Sequence, residues 1–176
     1  MLDEKRIKEA QKNVATYLED GMLSKLKNYN KKILGTYERN CKESLSVANK
    51  LFEEDVSNLW VIVSSYYSMF YIANAVLYKI GYKTGDRVVH KVTYDALIVY
   101  IRNRLKKSLL EDFEDAKEEA LEIIGSKTDE LISNFDRELD KRSVFQYETT
   151  EEIKRAKAET SLQRAKEIVN ELRKLL

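Results

Sequence analysis

Residues 59–80 constrain the fold more than any other stretch of the chain. They read Leu-Trp-Val-Ile-Val-Ser-Ser-Tyr-Tyr-Ser-Met-Phe-Tyr-Ile-Ala-Asn-Ala-Val-Leu-Tyr-Lys-Ile, with Lys79 as the single charge. Leu59, Val63, Tyr66, Phe70, Ala73, Leu77 and Ile80 fall in helical steps, and Ile62, Met69 and Val76 make a second stripe beside them. A helix that is apolar on adjoining faces has to be covered on several sides. The length would also span a bilayer. However, Ser64, Ser65, Ser68, Asn74 and several tyrosines interrupt the hydrocarbon band, and no basic cluster flanks it. The expectation is a buried central helix near 56–80, with no membrane partner.

The rest of the chain must then supply helices to cover it. There is no proline and there are five glycines in 176 residues, which disfavours a turn-rich β fold. Periodic apolar positions predict a helix over 3–19 (Ile7, Ala10, Val14, Leu18), ended by Asp20-Gly21, and a second over 23–34, stopped by Gly35. A third carries Tyr37, Cys41, Leu45, Ala48 and Phe52. Asp55 or Ser57 caps the central helix, and Gly81 ends it. Residues 81–86 read as a loop, with Asp86 capping a helix that holds His90, Ala96, Leu97 and Ile101. Ser108-Leu-Leu-Glu111 has capping-box spacing and opens a helix stopped by Gly125. Ser126 or Thr128 caps the next, and Thr149-Thr-Glu-Glu152 opens the last, with Ala158, Leu162, Ala165, Val169, Leu172 and Leu176 on one face. This predicts one all-α domain over 1–176, an antiparallel up-and-down bundle.

Chemistry-bearing patterns are few. One cysteine and one histidine leave no basis for a zinc site or a His-based metal site, and no cofactor or metal is expected. No glycine-rich phosphate loop or His-Glu-x-x-His occurs. The net charge of +1 argues neither for nor against nucleic acid. A charged start without a signal-peptide core makes the cytoplasm the default. The basic residues of the N-terminal region, Lys5, Arg6, Lys8 and Lys12 among them, are interspersed with acids and read first as solvated surface. His90 reads first as a capping or packing residue, and otherwise as part of a polar cleft. Arg142 stands out, because it takes the next inward step after Leu131, Phe135 and Leu139. A guanidinium there is either paired or kept for an anion.

Three features stand in order: Trp60 with Ser65-Tyr-Tyr-Ser-Met-Phe-Tyr71 and Ala73-Asn-Ala75; Val89-His-Lys91; and Arg142-x-x-x-Gln-Tyr147 before a final helix with Ala158, Leu162 and Ala165. Together, over residues 37–176, they resemble the HEPN family of small prokaryotic helical proteins, with 1–35 as an N-terminal extension of two helices. The resemblance implies a bundle that often dimerises. It also implies, for many members, metal-independent RNA cleavage by an arginine followed a few residues later by a histidine. Other members bind nucleotide or RNA without cleaving it, or act with a minimal nucleotidyltransferase as a toxin–antitoxin pair. Here Arg142 matches the arginine, while the positions permitted for the histidine hold Tyr147, Glu148 and Thr149.

Glutamine does not titrate and tyrosine titrates near pH 10, so Gln146 and Tyr147 are poor proton carriers. The reading is therefore a module that binds nucleotide or RNA phosphate through Arg142, Gln146 and Tyr147, and works as a homodimer with a partner such as a nucleotidyltransferase. Two alternatives stand beside it. One is an endoribonuclease using Arg142 with His90 as acid or base. The other is a structural assembly bundle in which Arg142 is paired.

Overall fold

The structure is a computed structural model that describes residues 2–139 and 155–176, with side chains for 2–125 and 155–176. Six helices appear among the described residues: α1 (Glu4–Glu19), α2 (Lys31–Glu53), α3 (Asn58–Lys79), α4 (Val89–Tyr100), α5 (Lys107–Leu139) and α6 (Arg155–Arg173). Two short strands, β1 (Leu23–Lys25) and β2 (Tyr82–Thr84), pair antiparallel, with Leu23 opposite Thr84.

The all-α bundle forms as the periodicity predicts. α3 is its centre. Val61, Ile62, Tyr66, Met69, Ile72, Ala73, Val76, Leu77 and Tyr78 are each buried. α3 meets the long helix α2 on one side and α6 on another, with α4 and α5 closing the remainder. Ala158 and Ala165 of α6 are fully buried, and side chains this small let two helix backbones approach closely. By length and composition α3 could cross a membrane, but 72% of its most apolar window lies inside the protein. Ser57 starts it, accepting the amide of Trp60, and Gly81 follows it with φ +96°.

Several boundaries differ from the sequence expectation. No helix covers 23–34. Residues 23–25 form β1, and α2 begins at Lys31 with Asn30 as its cap, the Asn30 side chain accepting the Lys32 amide at 2.9 Å. Gly35 lies inside α2, because Leu34, Cys41 and Ala48 make one continuous buried stripe across it. That packing outweighs the roughly 1 kcal/mol a helical glycine costs. The N-terminal extension is thus one helix and one strand. Gly125 is likewise inside α5, which runs on past Ser126 and Thr128. Asp86 does not cap α4; Val88 precedes it with φ +40° and no side-chain cap. Ser108 does not head a capping box either, because α5 has already begun at Lys107, and Glu111 instead accepts the Leu2 amide.

Two clasps hold the elements together. Asn74 of α3 donates to the Phe70 carbonyl, accepts from Thr84 of β2 at 2.8 Å and donates to Thr93 of α4 at 3.2 Å. Arg155, at the start of α6, pairs with Asp55, donates to the Phe52 carbonyl and lies over the Phe52 ring, pinning α6 to the α2–α3 turn.

Candidate functional site

The sequence-selected residues Arg142, Gln146 and Tyr147 lie outside the described residues, as do Glu148 and the Thr149–Glu152 box. The side chains of Leu131, Phe135 and Leu139 are outside them too. His90 is described, and its surroundings combine a buried tyrosine, an aromatic cluster and an imidazole.

His90 is half-buried at the start of α4. Its Nδ1 lies 2.8 Å from the Tyr66 hydroxyl. Its ring sits 4.7 Å from Phe70 and 5.9 Å from Tyr67, centroid to centroid. Burial lowers its pKa from the ordinary 6.5, and the positive charge of Lys117 on α5 acts in the same direction. Tyr66 is fully buried, and desolvation pushes its hydroxyl far up, with Tyr67 adding to the effect. A protonated phenol can donate or accept, but the Tyr66 hydroxyl has no other acceptor for its proton among the described residues. We therefore assign Tyr66 as donor to Nδ1, with the imidazole proton on Nε2. Lys117 is held 4.7 Å over the Tyr94 ring, and Tyr94 donates to Glu114 at 3.1 Å.

The lowered pKa has a pH signature. Below the ordinary 6.5 the unfolded chain takes up a proton on His90 before the folded one does. His90 thus contributes fully to stability above 6.5 and progressively less as pH falls toward its folded pKa. His90→Gln should lose this component, so the stability difference between wild type and variant narrows from pH about 7.5 to about 5. Urea midpoints of both proteins at the two pH values measure it; parallel curves would show that the imidazole is unshifted.

A second polar centre lies on the next turn of α4. Asp95 is fully buried and accepts from Arg6, from Asn13 at 3.0 Å and from Tyr17 at 3.0 Å. All three donors are on α1. Arg6 also stands 3.7 Å from Glu114 and 5.3 Å from the Tyr94 ring. Arg6 is therefore a largely covered, paired cation and not the solvated basic surface expected from the sequence. A third region, a 480 Å³ groove between α5 and α6, has Asp115 and Glu119 facing Lys157 and Arg164. These charges pair across it, at 3.7 Å for Lys157–Glu119 and 3.3 Å for Arg164–Asp115. No group of three or more His, Cys, Asp or Glu able to hold a metal occurs among the described residues. Cys41 is buried and its thiol is pushed up by desolvation.

Sequence reasoning found His90 and the Tyr66 helix but missed Lys117 and Asp95. The available signal for Asp95 was an acid at an inward position of an otherwise apolar helix, between Tyr94 and Ala96.

Fold and site together define a small all-α bundle domain with an appended N-terminal helix and ribbon. Residues 37–175 match the HEPN domain, and the chain belongs to the HEPN family. That membership is consistent with a nucleotide- or RNA-related function. Among curated proteins none matches the chain.

Proposed function

We propose that this HEPN module binds nucleotide or RNA phosphate through Arg142, with Gln146 and Tyr147 beside it, and does not cleave RNA. It acts in the cytoplasm as a homodimer, through a partner protein such as a nucleotidyltransferase in a toxin–antitoxin arrangement. The observation that carries this reading is the state of the one histidine. Metal-independent RNA cleavage needs one group to take the 2′-hydroxyl proton and another to protonate the leaving oxygen. His90 is engaged by Tyr66, and desolvation and Lys117 keep it neutral near pH 7. The neighbouring tyrosines Tyr66 and Tyr67 are shifted up, away from acid duty, by burial. The retained Arg142 supplies phosphate recognition without proton transfer.

Titration of labelled nucleotides and short RNAs into wild type and Arg142→Ala tests this. The variant is expected to bind about tenfold or more weakly, the loss typical of a charge-assisted hydrogen bond. Equal affinity would remove Arg142 from the site. RNA incubated with the protein in EDTA is expected to stay intact; cleavage that disappears in His90→Ala would replace this reading with the ribonuclease. Light scattering showing a monomer at micromolar concentration would count against the homodimer.

A further inference from the structure

We propose that one end of the bundle, where the β1–α2 connection meets the end of α3 and the start of β2, docks a single strand of nucleic acid. Lys25, Lys27, Lys31, Lys32, Lys79 and Lys83 take its phosphates, and Tyr29 takes a base. None of these residues belongs to the Arg142 reading. Lys25 to Lys32 also precede the HEPN match, which begins at residue 37.

The surface is assembled from two stretches that carry no acid. The sequence has no Asp or Glu between Asp20 and Glu38, and none between Asp55 and Asp86. The fold ties these stretches together at several points. Lys25 stands opposite Tyr82 in the ribbon, and Ser24 opposite Lys83. Beside Lys27, the Leu26 amide donates to the Gly81 carbonyl at 2.8 Å. The Asn30 amide donates to the Tyr78 hydroxyl at 3.0 Å, which brings the start of α2, with Lys31 and Lys32, to the end of α3, with Lys79. All six lysines are exposed.

The segregation of charge points to a polyanion. The whole chain is balanced, with 31 Lys and Arg against 30 Asp and Glu. Elsewhere cations stand against acids, as in Arg39–Glu43, Lys50–Glu54 and Arg164–Asp112. None of the six lysines pairs with a carboxylate among the described residues. Gathering like charges costs self-repulsion, and a phosphate backbone relieves it while releasing its own counterions. Tyr29 then selects among polyanions. It lies between Lys27 and Lys31, is 52% exposed, and has its ring centroid 5.7 Å from that of Tyr78. An exposed ring flanked by cations accepts an unstacked base, which a single strand offers and a duplex does not. An acidic peptide satisfies the lysines but brings no base to the ring.

Fluorescence anisotropy with a single-stranded RNA of about 15 nucleotides, and with DNA of the same sequence, at several salt concentrations tests this. The tighter-bound strand names the source of the phosphates. In the variant Lys27→Gln, Lys31→Gln, Lys79→Gln, affinity is expected to fall about tenfold or more. The slope of log affinity against log salt should flatten by about 2, for three phosphate contacts at about 0.7 each. The control Lys5→Gln, Lys8→Gln, Lys12→Gln removes the same charge from α1, where Glu4 and Glu9 are interspersed, and should change both quantities little. Tyr29→Leu keeps an apolar side chain beside Tyr78 and should weaken binding about fivefold at an unchanged salt slope, because stacking releases no counterions. Equal losses in the two lysine variants would reduce the effect to bulk charge and overturn the surface. A polyglutamate peptide that binds as tightly as RNA, with Tyr29→Leu indistinguishable from wild type, would replace the nucleic acid by an acidic protein partner. RNA binding that falls in Arg142→Ala but keeps its strength and salt slope in the lysine variant would overturn the surface and leave the Arg142 reading standing. The reverse pattern would support the surface and remove Arg142. Failure of both strands to bind wild type at low salt would end the proposal, while mononucleotide binding would still uphold the Arg142 reading.

Discussion

Replacing Asp95 with alanine is expected to destabilise the protein by about 3–5 kcal/mol, the cost of leaving a buried charge without its partner. The carboxylate has no exposed surface, and among the described residues its hydrogen bonds all come from α1. In the variant, the Arg6 guanidinium remains largely covered, with a side-chain exposure of 17%. Its next carboxylate, Glu114, is 3.7 Å from Nε, and Arg6 Nη1 already lacks a hydrogen-bond partner. Asn13 and Tyr17 each lose an acceptor as well. The damage should therefore concentrate on α1. Urea denaturation measures the total, and hydrogen exchange should show the α1 amides losing protection before those of α3. The double variant Arg6→Met, Asp95→Leu should recover most of the loss, because apolar residues of similar volume often replace a buried ion pair at little cost. A loss below about 1 kcal/mol in Asp95→Ala would mean that water reaches the pair.

Tyr66→Ala is expected to cost a comparable amount, about 3–5 kcal/mol, because it empties an aromatic-sized volume in the core. Tyr66 touches Phe113 of α5 edge-on at 6.1 Å, and Tyr67 and Phe70 of its own helix, so the cavity opens where α3, α4 and α5 meet. Tyr66→Phe separates packing from hydrogen bonding. It keeps the ring and removes the donor to His90, for a loss of about 1 kcal/mol. It also releases the tautomer, so the imidazole should show a mixture of Nδ1–H and Nε2–H forms. A double-mutant cycle of Tyr66→Phe with His90→Gln should give a coupling above about 0.5 kcal/mol. Additive effects would show that the 2.8 Å contact contributes nothing.

The two predictions concern residues that differ sharply in how readable they are. Tyr66 lies on a stripe with Val63, Phe70 and Ala73, and its burial follows from helical spacing alone. Asp95 also sits on a predicted helix, but its partners are 78–89 residues away in the chain. No local pattern encodes that pairing. The same distinction explains the errors at Gly35 and Gly125. A glycine is a local stop signal, yet at Gly35 the helix continues because the buried stripe of Leu34, Cys41 and Ala48 has somewhere to pack. β1 escaped notice for a related reason. Leu23 to Lys25 is too short to show alternation, and it exists as a strand because β2 supplies its hydrogen bonds.

The candidate site divides the same way. His90 was visible as the one histidine, and Arg142 as a charge on an inward step. Their chemistry depends on neighbours. The proton position on His90 is set by Tyr66, one helix away, and its lowered pKa by burial together with Lys117, two elements away.

The sequence by itself determined the all-α class, the central position of α3, the face of α6 that packs inward and the HEPN kinship. Those properties are carried by apolar periodicity and by motif residues close together in the chain, and the hydrophobic effect acts on them whatever the partner. Only the tertiary structure decided that α1 is clasped to α4 through Asp95, that Arg6 is largely covered by that pairing, and that the Tyr66 hydroxyl meets His90. Polar pairs and proton positions depend on distances of a few ångströms between residues far apart in sequence, and those distances exist only once the helices have packed.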